Sequence, residues 1–290
     1  MDNDIQEKKN KRSFGWLKIT VGVAVVLAIA CALLQIGLIC SNNNISTVTP
    51  GYEKQDISAV FDQSDLTVAD YEFLYAQTGL TQTGIDRVRA KGESGKNLAL
   101  EIQNALFSPG GVQKTDVAPF MCIDMSCSTA PNVYLETGDI LVTASTHISS
   151  CRIGHAGLVV NGEKGEVLQA TAYGQNTRIG RVSDFTNRAN FMILRPKASE
   201  EVRQKVAAWA KDNLVGIPYS AFVGFLTHND SVPKTQCAHV VWYAYNKFGV
   251  NLVKKNKLMI LPYDLANSDG VEVVQVFGFD LGKKWDKLIF

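Results

Sequence analysis

The sequence predicts an α+β fold, with an antiparallel sheet packed on helices and preceded by a transmembrane helix and a small helical region. Three observations carry that expectation. An apolar run near the N-terminus is long enough to cross a bilayer, and helical signals fill residues 67–107. From Gly138 four β-prone runs follow one another before two helical stretches and a last β-prone run, an order that is not the alternating βαβ kind.

The elements follow in order. Lys8, Lys9, Lys11, Arg12 and Lys18 form a basic tail over residues 1–18. An apolar run from Ile19 to Ile39 comes next, its only strongly polar residue Gln35. That matches the ~20 residues a spanning helix needs, and a span is assigned to residues 19–40. The basic flank is N-terminal, so the positive-inside rule places the rest of the chain outside the cytoplasm, and Trp16 stands where an interfacial anchor would. A cleaved signal peptide competes with this reading. The length of the run and the want of a small-x-small site after Ile39 disfavour it, and Ala28-Ile29-Ala30-Cys31 resembles a lipoprotein site only faintly.

Ser41-Asn42-Asn43-Asn44 opens a polar stretch, read as a tether over residues 41–64. The helical region spans 65–130. Thr67-Val68-Ala69-Asp70 resembles a capping box with Asp in the Glu position, and Gly79 suits a left-handed cap. Further helices fit Thr83 to Ala90 and Lys96 to Phe107. Cys122 and Cys127 fall in what reads as a loop, where an extracytoplasmic setting makes them a disulfide candidate, two free thiols are the open alternative, and a metal pair is disfavoured. The last division is residues 131–290. Runs at 139–143, 156–160, 166–170 and 191–195 read as strands, with a hairpin turn at Asn161-Gly162-Glu163-Lys164-Gly165, and Ser199 caps a helix reaching about Asn213.

Chemistry concentrates in two places. Gly154-His155-Ala156-Gly157 puts a histidine at the start of a strand. Thr235-Gln236-Cys237 puts a cysteine where Val240, Val241, Ala244, Tyr245 and Phe248 recur at helical spacing. A thiol at a helix N-terminus has its thiolate favoured by unpaired N–H groups, which predicts a depressed thiol pKa. A facing imidazole makes such a thiol a nucleophile, so the pair reads as a cysteine hydrolase or acyltransferase. A helix would point His239 away from Cys237, giving it a structural or rim position. The metal alternative is zinc on His147, Cys151 and His155, with Cys237 completing a tetrahedral set, although Ser149, Ser150 and Gly154 suit a helix there badly. A net charge of +1 with both signs interspersed excludes the basic patch of a nucleic-acid binder.

The order of these landmarks resembles a known group. Gly138-Asp139-Ile140-Leu141-Val142, Gly154-His155-Ala156-Gly157, Gly216-Ile217-Pro218-Tyr219, Gln236-Cys237-Ala238-His239 and Pro262-Tyr263-Asp264-Leu265 run as in the YiiX-like, circularly permuted NlpC-type cysteine hydrolases. The resemblance covers residues 138–277 and implies a permuted papain-like fold. It further implies Cys237 as nucleophile, His155 as base, and no organic cofactor. It puts Tyr219 beside the nucleophile, as a donor to an oxyanion, and a polar orienting residue at Gln169, where the family frequently has Glu. A neutral Gln fixes the imidazole tautomer but cannot offset an imidazolium charge, which keeps open a non-catalytic envelope-binding domain. Glu166, the nearest carboxylate, lies on the opposite strand face. The substrate class implied is an envelope amide or ester, cell-wall peptide first and acyl lipid second. Protein partners are not specified.

Overall fold

The computed structural model describes residues 16, 18–36, 47–118, 121–148, 151–223, 232–253 and 257–285. Lys8, Lys9, Lys11, Arg12, Ile39, the Ser41-Asn42-Asn43-Asn44 stretch, Ser149 and Ser150 lie outside the described residues. The chain divides into two compact units, the first 45 residues and Ser46–Ile289. In the first, helix α1 (Lys18–Ile36) is long and apolar enough to cross a membrane. At ~1.5 Å per residue a helix of that length approaches the ~30 Å of a hydrocarbon core.

The second unit starts earlier than the tether reading expects. Val48 N–H donates to the Gly278 carbonyl at 3.1 Å, and Gln55 N–H to the Gln77 side chain at 2.8 Å. Ile57 and Phe61 stand four apart on the short helix α2 (Ser58–Phe61) and its cap, and both are buried. Two well-spaced apolar anchors dock an otherwise polar stretch. Helix α3 (Val68–Thr78) carries the expected capping box: Thr67 Oγ1 accepts from Asp70 N–H, and the Asp70 carboxylate accepts from Thr67 N–H at 2.8 Å. Gly79, at φ 71°, ends it. Helices α4 (Gln82–Arg89) and α5 (Glu93–Phe107) follow close to their expected bounds.

Strands β1 (Val112–Ala118) and β2 (Met121–Ser126) replace the expected loop. They form an antiparallel hairpin, and β2 continues through β4 (Thr146–Ile148) to β5 (Cys151–Arg152) in a four-stranded sheet. The Cys122–Cys127 disulfide is therefore corrected. Both thiols are free. Five residues of near-extended chain separate their Cα atoms by roughly 16 Å and turn the side chains to opposite faces, whereas a disulfide needs ~4.4–6.8 Å.

The larger sheet joins β3 (Ile140–Thr143), β6 (His155–Asn161), β7 (Glu166–Gln169), β8 (Arg178–Arg181), β9 (Phe191–Pro196) and β10 (Val271–Phe277) in the order β10-β9-β3-β6-β7-β8. All neighbours are antiparallel. Its strands are apolar on both faces because both faces are covered. Ile140, Val142, Leu158 and Leu194 pack with Val206, Val240 and Leu265 of helices α7 (Glu200–Asn213), α8 (Cys237–Asn246) and α9 (Pro262–Ala266). Leu141, Val159, Phe191 and Ile193 pack with Leu74, Ile85 and Ile102 of α3–α5. The helices of 65–130 thus share a core with the sheet, and the expected boundary at residue 131 is not a domain boundary. Buried Asp139 strengthens the join, taking Arg87 of α4 at 3.0 Å and Arg195 of β9 at 3.3 Å.

Candidate functional site

The site is built at the open end of β6. Gly154 enters the strand at φ 72°, a conformation that favours glycine, and a Cβ there would meet the Thr143 carbonyl. His155 pairs with Thr143 of β3, while β7 ends at Gln169, opposite Gly157. Val159 N–H donates to Asp139, on the β3 side, and its carbonyl accepts from Gly138. By alternation Ala156 turns its N–H toward β7, just past that strand's last residue. The sulfur of Cys237 takes that place: N–H groups of Ala156, Ala238 and Cys237 itself all favour its thiolate. Helix α8 delivers the sulfur there, its start fixed by Gln236, whose side-chain oxygen accepts from Ala238 N–H at 2.8 Å.

Burial wins over these donors. Cys237 is 5% exposed, and its thiol is pushed up to about 11, with the three N–H groups and the Arg188 guanidinium only moderating the rise. The expected depressed thiol pKa is thereby corrected: the N-terminal position is real, but the sulfur has lost its water. His155 behaves in the matching way. Burial first, then the charge of Arg188, holds its imidazole down at about 3, against a hydrogen bond to Gln169. At neutral pH the thiol, which donates to Gln236 Oε1 at 3.4 Å, and the imidazole are both neutral.

His155 Nε2 and Gln169 Oε1 lie 2.8 Å apart. Gln169 Nε2 in turn donates to the Asp184 carboxylate at 2.5 Å. An amide group committed to a carboxylate must present its oxygen to the imidazole, so His155 carries its proton on Nε2 and keeps the Nδ1 lone pair. Gly180 leaves room for this chain, since a Cβ there would lie 1.9 Å from Gln169 Nε2. Asp184 supplies the carboxylate that sequence reasoning missed, on the one-turn helix α6 (Ser183–Thr186). Its signal was the Asp184–Arg188 spacing of four after a helix-starting serine. Arg188 Nε donates to the Asp184 carbonyl at 2.6 Å, and its guanidinium lies 5.5 Å from the Phe185 ring centre. Phe185 itself stacks on His155 at 5.2 Å.

Tyr219 is joined to the segment that leads into α8. Its backbone bridges Thr235, two residues before Cys237, and burial and then the Cys237 thiol raise its phenol pKa. Glu166 does face away, pairing with Lys211 at 2.7 Å. His239 is buried and bonds Thr235 Oγ1 at 2.9 Å, a structural position.

The zinc set is not assembled. Residues 146–148 and 151–152 form strands β4 and β5, with Ile148 opposite Cys151, so His147, Cys151 and His155 share no helix face. The His147 imidazole is spent on Asp124 at 2.7 Å, which also holds Arg152 at 2.8 Å. Among the described residues no group of three or more His, Cys, Asp or Glu could hold a metal.

A cleft of about 580 Å³ opens onto His155, Gln169, Asp184 and Arg188. One face of the β1–β2 hairpin, with Val117, Met121, Ile123 and Met125, forms its apolar wall. Arg178 lines it as well, whereas Cys237 and Tyr219 do not. No family model, curated protein or solved structure matches this chain.

Proposed function

We propose that this chain is a membrane-anchored, extracytoplasmic cysteine hydrolase of the permuted NlpC-like kind, with a papain-like core, acting on cell-wall peptide. The observation that carries the reading is the Cys237 sulfur at the Ala156 amide, one residue from an imidazole oriented by Gln169 and Asp184. α1 with its N-terminal basic flank supports the anchor and its orientation.

Because both partners rest neutral, His155 acts as a general base during attack and not as half of a preformed ion pair. The thiol proton moves to Nδ1 as sulfur bonds the carbonyl carbon. Donors at the sulfur's amides and the Tyr219 hydroxyl hold the oxyanion. The proton then passes to the departing amine or alcohol, leaving a thioester that water hydrolyses.

The test is acylation of the full-length protein in neutral detergent by a p-nitrophenyl ester. The reading expects a burst of nitrophenol and a mass increment on Cys237, both lost in Cys237→Ala and His155→Ala. No burst, together with iodoacetamide labelling of Cys237 indifferent to His155→Ala, defeats it. The buried, high-pKa thiol favours one second reading, a non-catalytic envelope-binding domain, and that outcome would establish it. Peptidoglycan fragments and acyl lipids, offered side by side, decide between peptide and acyl substrates.

A further inference from the structure

We infer that the cleft takes an anionic substrate, one bearing a carboxylate or phosphate that docks on the Arg188 guanidinium beside the reacting carbonyl. This rests on the hydrolase reading for the carbonyl but not for the anion. Arg188 is 5% exposed. Its Nε and Nη1 spend themselves on neutral oxygens, the Asp184 carbonyl at 2.6 Å and Thr146 Oγ1 at 2.5 Å. Among the described residues Nη2 has no hydrogen-bond acceptor, and no side-chain carboxylate ion-pairs with Arg188.

That arrangement is costly unless something answers the charge, since buried cations are ordinarily paired. The neighbouring groups answer it only in part: the charges of Asp184 and of a Cys237 thiolate favour the guanidinium without an ion pair, and the Phe185 ring lies 5.5 Å from it. Asp124 is taken by His147 and Arg152, on β4 and β5 of its own sheet. The Asp184 carboxylate is shared between Gln169 and Arg178, the latter at 3.9 Å. The cleft lining therefore carries two guanidiniums, Arg178 and Arg188, against one carboxylate, with His155 neutral between them. Gln175, Ser183 and Asn187 add neutral polar groups around the same opening, and the apolar hairpin wall faces them. A guanidinium fork with one free edge, facing a cleft, is built to bind anionic oxygens.

The test compares two alkylating agents of similar size, iodoacetate and iodoacetamide, on the full-length protein in neutral detergent at pH 8.5. Their rate ratio at Cys237, divided by the ratio for N-acetylcysteinamide in solution, reads the local charge. The inference expects a normalised ratio raised about tenfold, the low end of electrostatic focusing in a cleft. It should fall to about one in Arg188→Gln and persist in Arg188→Lys. Arg178→Gln, at an exposed position, should lower it by a smaller factor. A normalised ratio of one in the unaltered protein, with His155-dependent iodoacetamide labelling intact, overturns the anion site and leaves the hydrolase standing. If Cys237 resists both reagents the hydrolase reading fails, and melting in inorganic phosphate against chloride at equal ionic strength decides the anion site. A saturable rise absent from Arg188→Gln supports it, and no rise overturns it. Protection of Cys237 from iodoacetate by phosphate but not acetate marks phosphate as the source, and the reverse marks carboxylate.

Discussion

Two buried histidines, eight residues apart in sequence, occupy opposite kinds of site. His147 faces a carboxylate, Asp124, which Arg152 seals from the other side, and it does not line the cleft. His155 faces only an amide, Gln169, with its carboxylate one bond further back at Asp184, and it opens on the cleft. By partner alone His147 looks the better catalytic base. By what surrounds it, it is a structural clasp between β2, β4 and β5. A carboxylate beside an imidazole stabilises charge; a base that must stay neutral until a thiol gives up its proton is better served by an amide in direct contact.

The largest expected effects separate the two. His155→Ala should cut acylation of Cys237 by about 10²–10⁴, the usual worth of a positioned base, while lowering melting less than His147→Ala does. His147→Ala should do the reverse. It takes from Asp124 a hydrogen bond in a sealed layer where Arg152 remains, and a bond to a charged group is worth about 1.5–3 kcal/mol. Ester-burst kinetics and thermal melting on both variants read the cross. Equal stability losses in the two would erase the distinction.

Next in size is the relay behind His155. Gly180→Ala pushes a methyl into the Gln169–Asp184 contact, and Asp184→Asn lets the Gln169 amide turn over. Either should slow acylation by about tenfold to a hundredfold, at the low end of general-base contributions, with kcat falling and KM little changed. A loss confined to KM would make Asp184 a binding residue instead.

Of the site, the sequence carried the parts set by strong local patterns. His155 and Cys237 stand at a strand start and a helix start, whereas Gln169 came from the family resemblance and not from any local pattern. Asp184 and Arg188 escaped because α6 is a single turn with no periodicity, and its partners come from β4, β6 and β7. The hairpin escaped for another reason. Met121, Ile123 and Met125 alternate, which is a strand signal, but Asp124 and Cys122 between them read as polar loop. Asp124 is buried only because Arg152 and His147, some 25 residues on, come back to meet it. The papain-like topology is a matter of resemblance, whereas the covered faces of the larger sheet follow from its unbroken apolar runs.

Acid should dissect the two sites in separate pH windows. The His155 imidazole is held at about 3 in the fold against an ordinary 6.5, so its contribution to stability is whole above 6.5 and drains away as pH falls toward 3. Burial would raise the Asp124 carboxyl, but the His147 hydrogen bond and Arg152 outweigh it and hold it below its ordinary 3.8. Its contribution is whole above 3.8 and is lost only as pH falls through that lower value. Melting curves from pH 8 to pH 3, with His155→Gln and Asp124→Asn subtracted, should show the first loss beginning near neutrality and the second only in strong acid. A shared onset would mean the two regions titrate as one.

The smallest effects belong to the two free cysteines of the hairpin, and they test the comparison where it is finest. Alternation along β2 puts Cys122 on the same face as Asp124, the sealed side, and Cys127 with Met121, Ile123 and Met125 on the cleft side. Cys122 is half-buried, so Cys122→Ala should lower stability by under about 1 kcal/mol, less than a fully buried side chain is worth, and leave acylation unchanged. Cys127 is exposed and lines the cleft. Cys127→Trp should leave melting unchanged and slow acylation a few-fold by narrowing the entrance. One strand would then be read twice, structurally on one face and functionally on the other. If Cys122→Ala slowed acylation and Cys127→Trp did not, the hairpin would face the other way, and the cleft would have lost its wall.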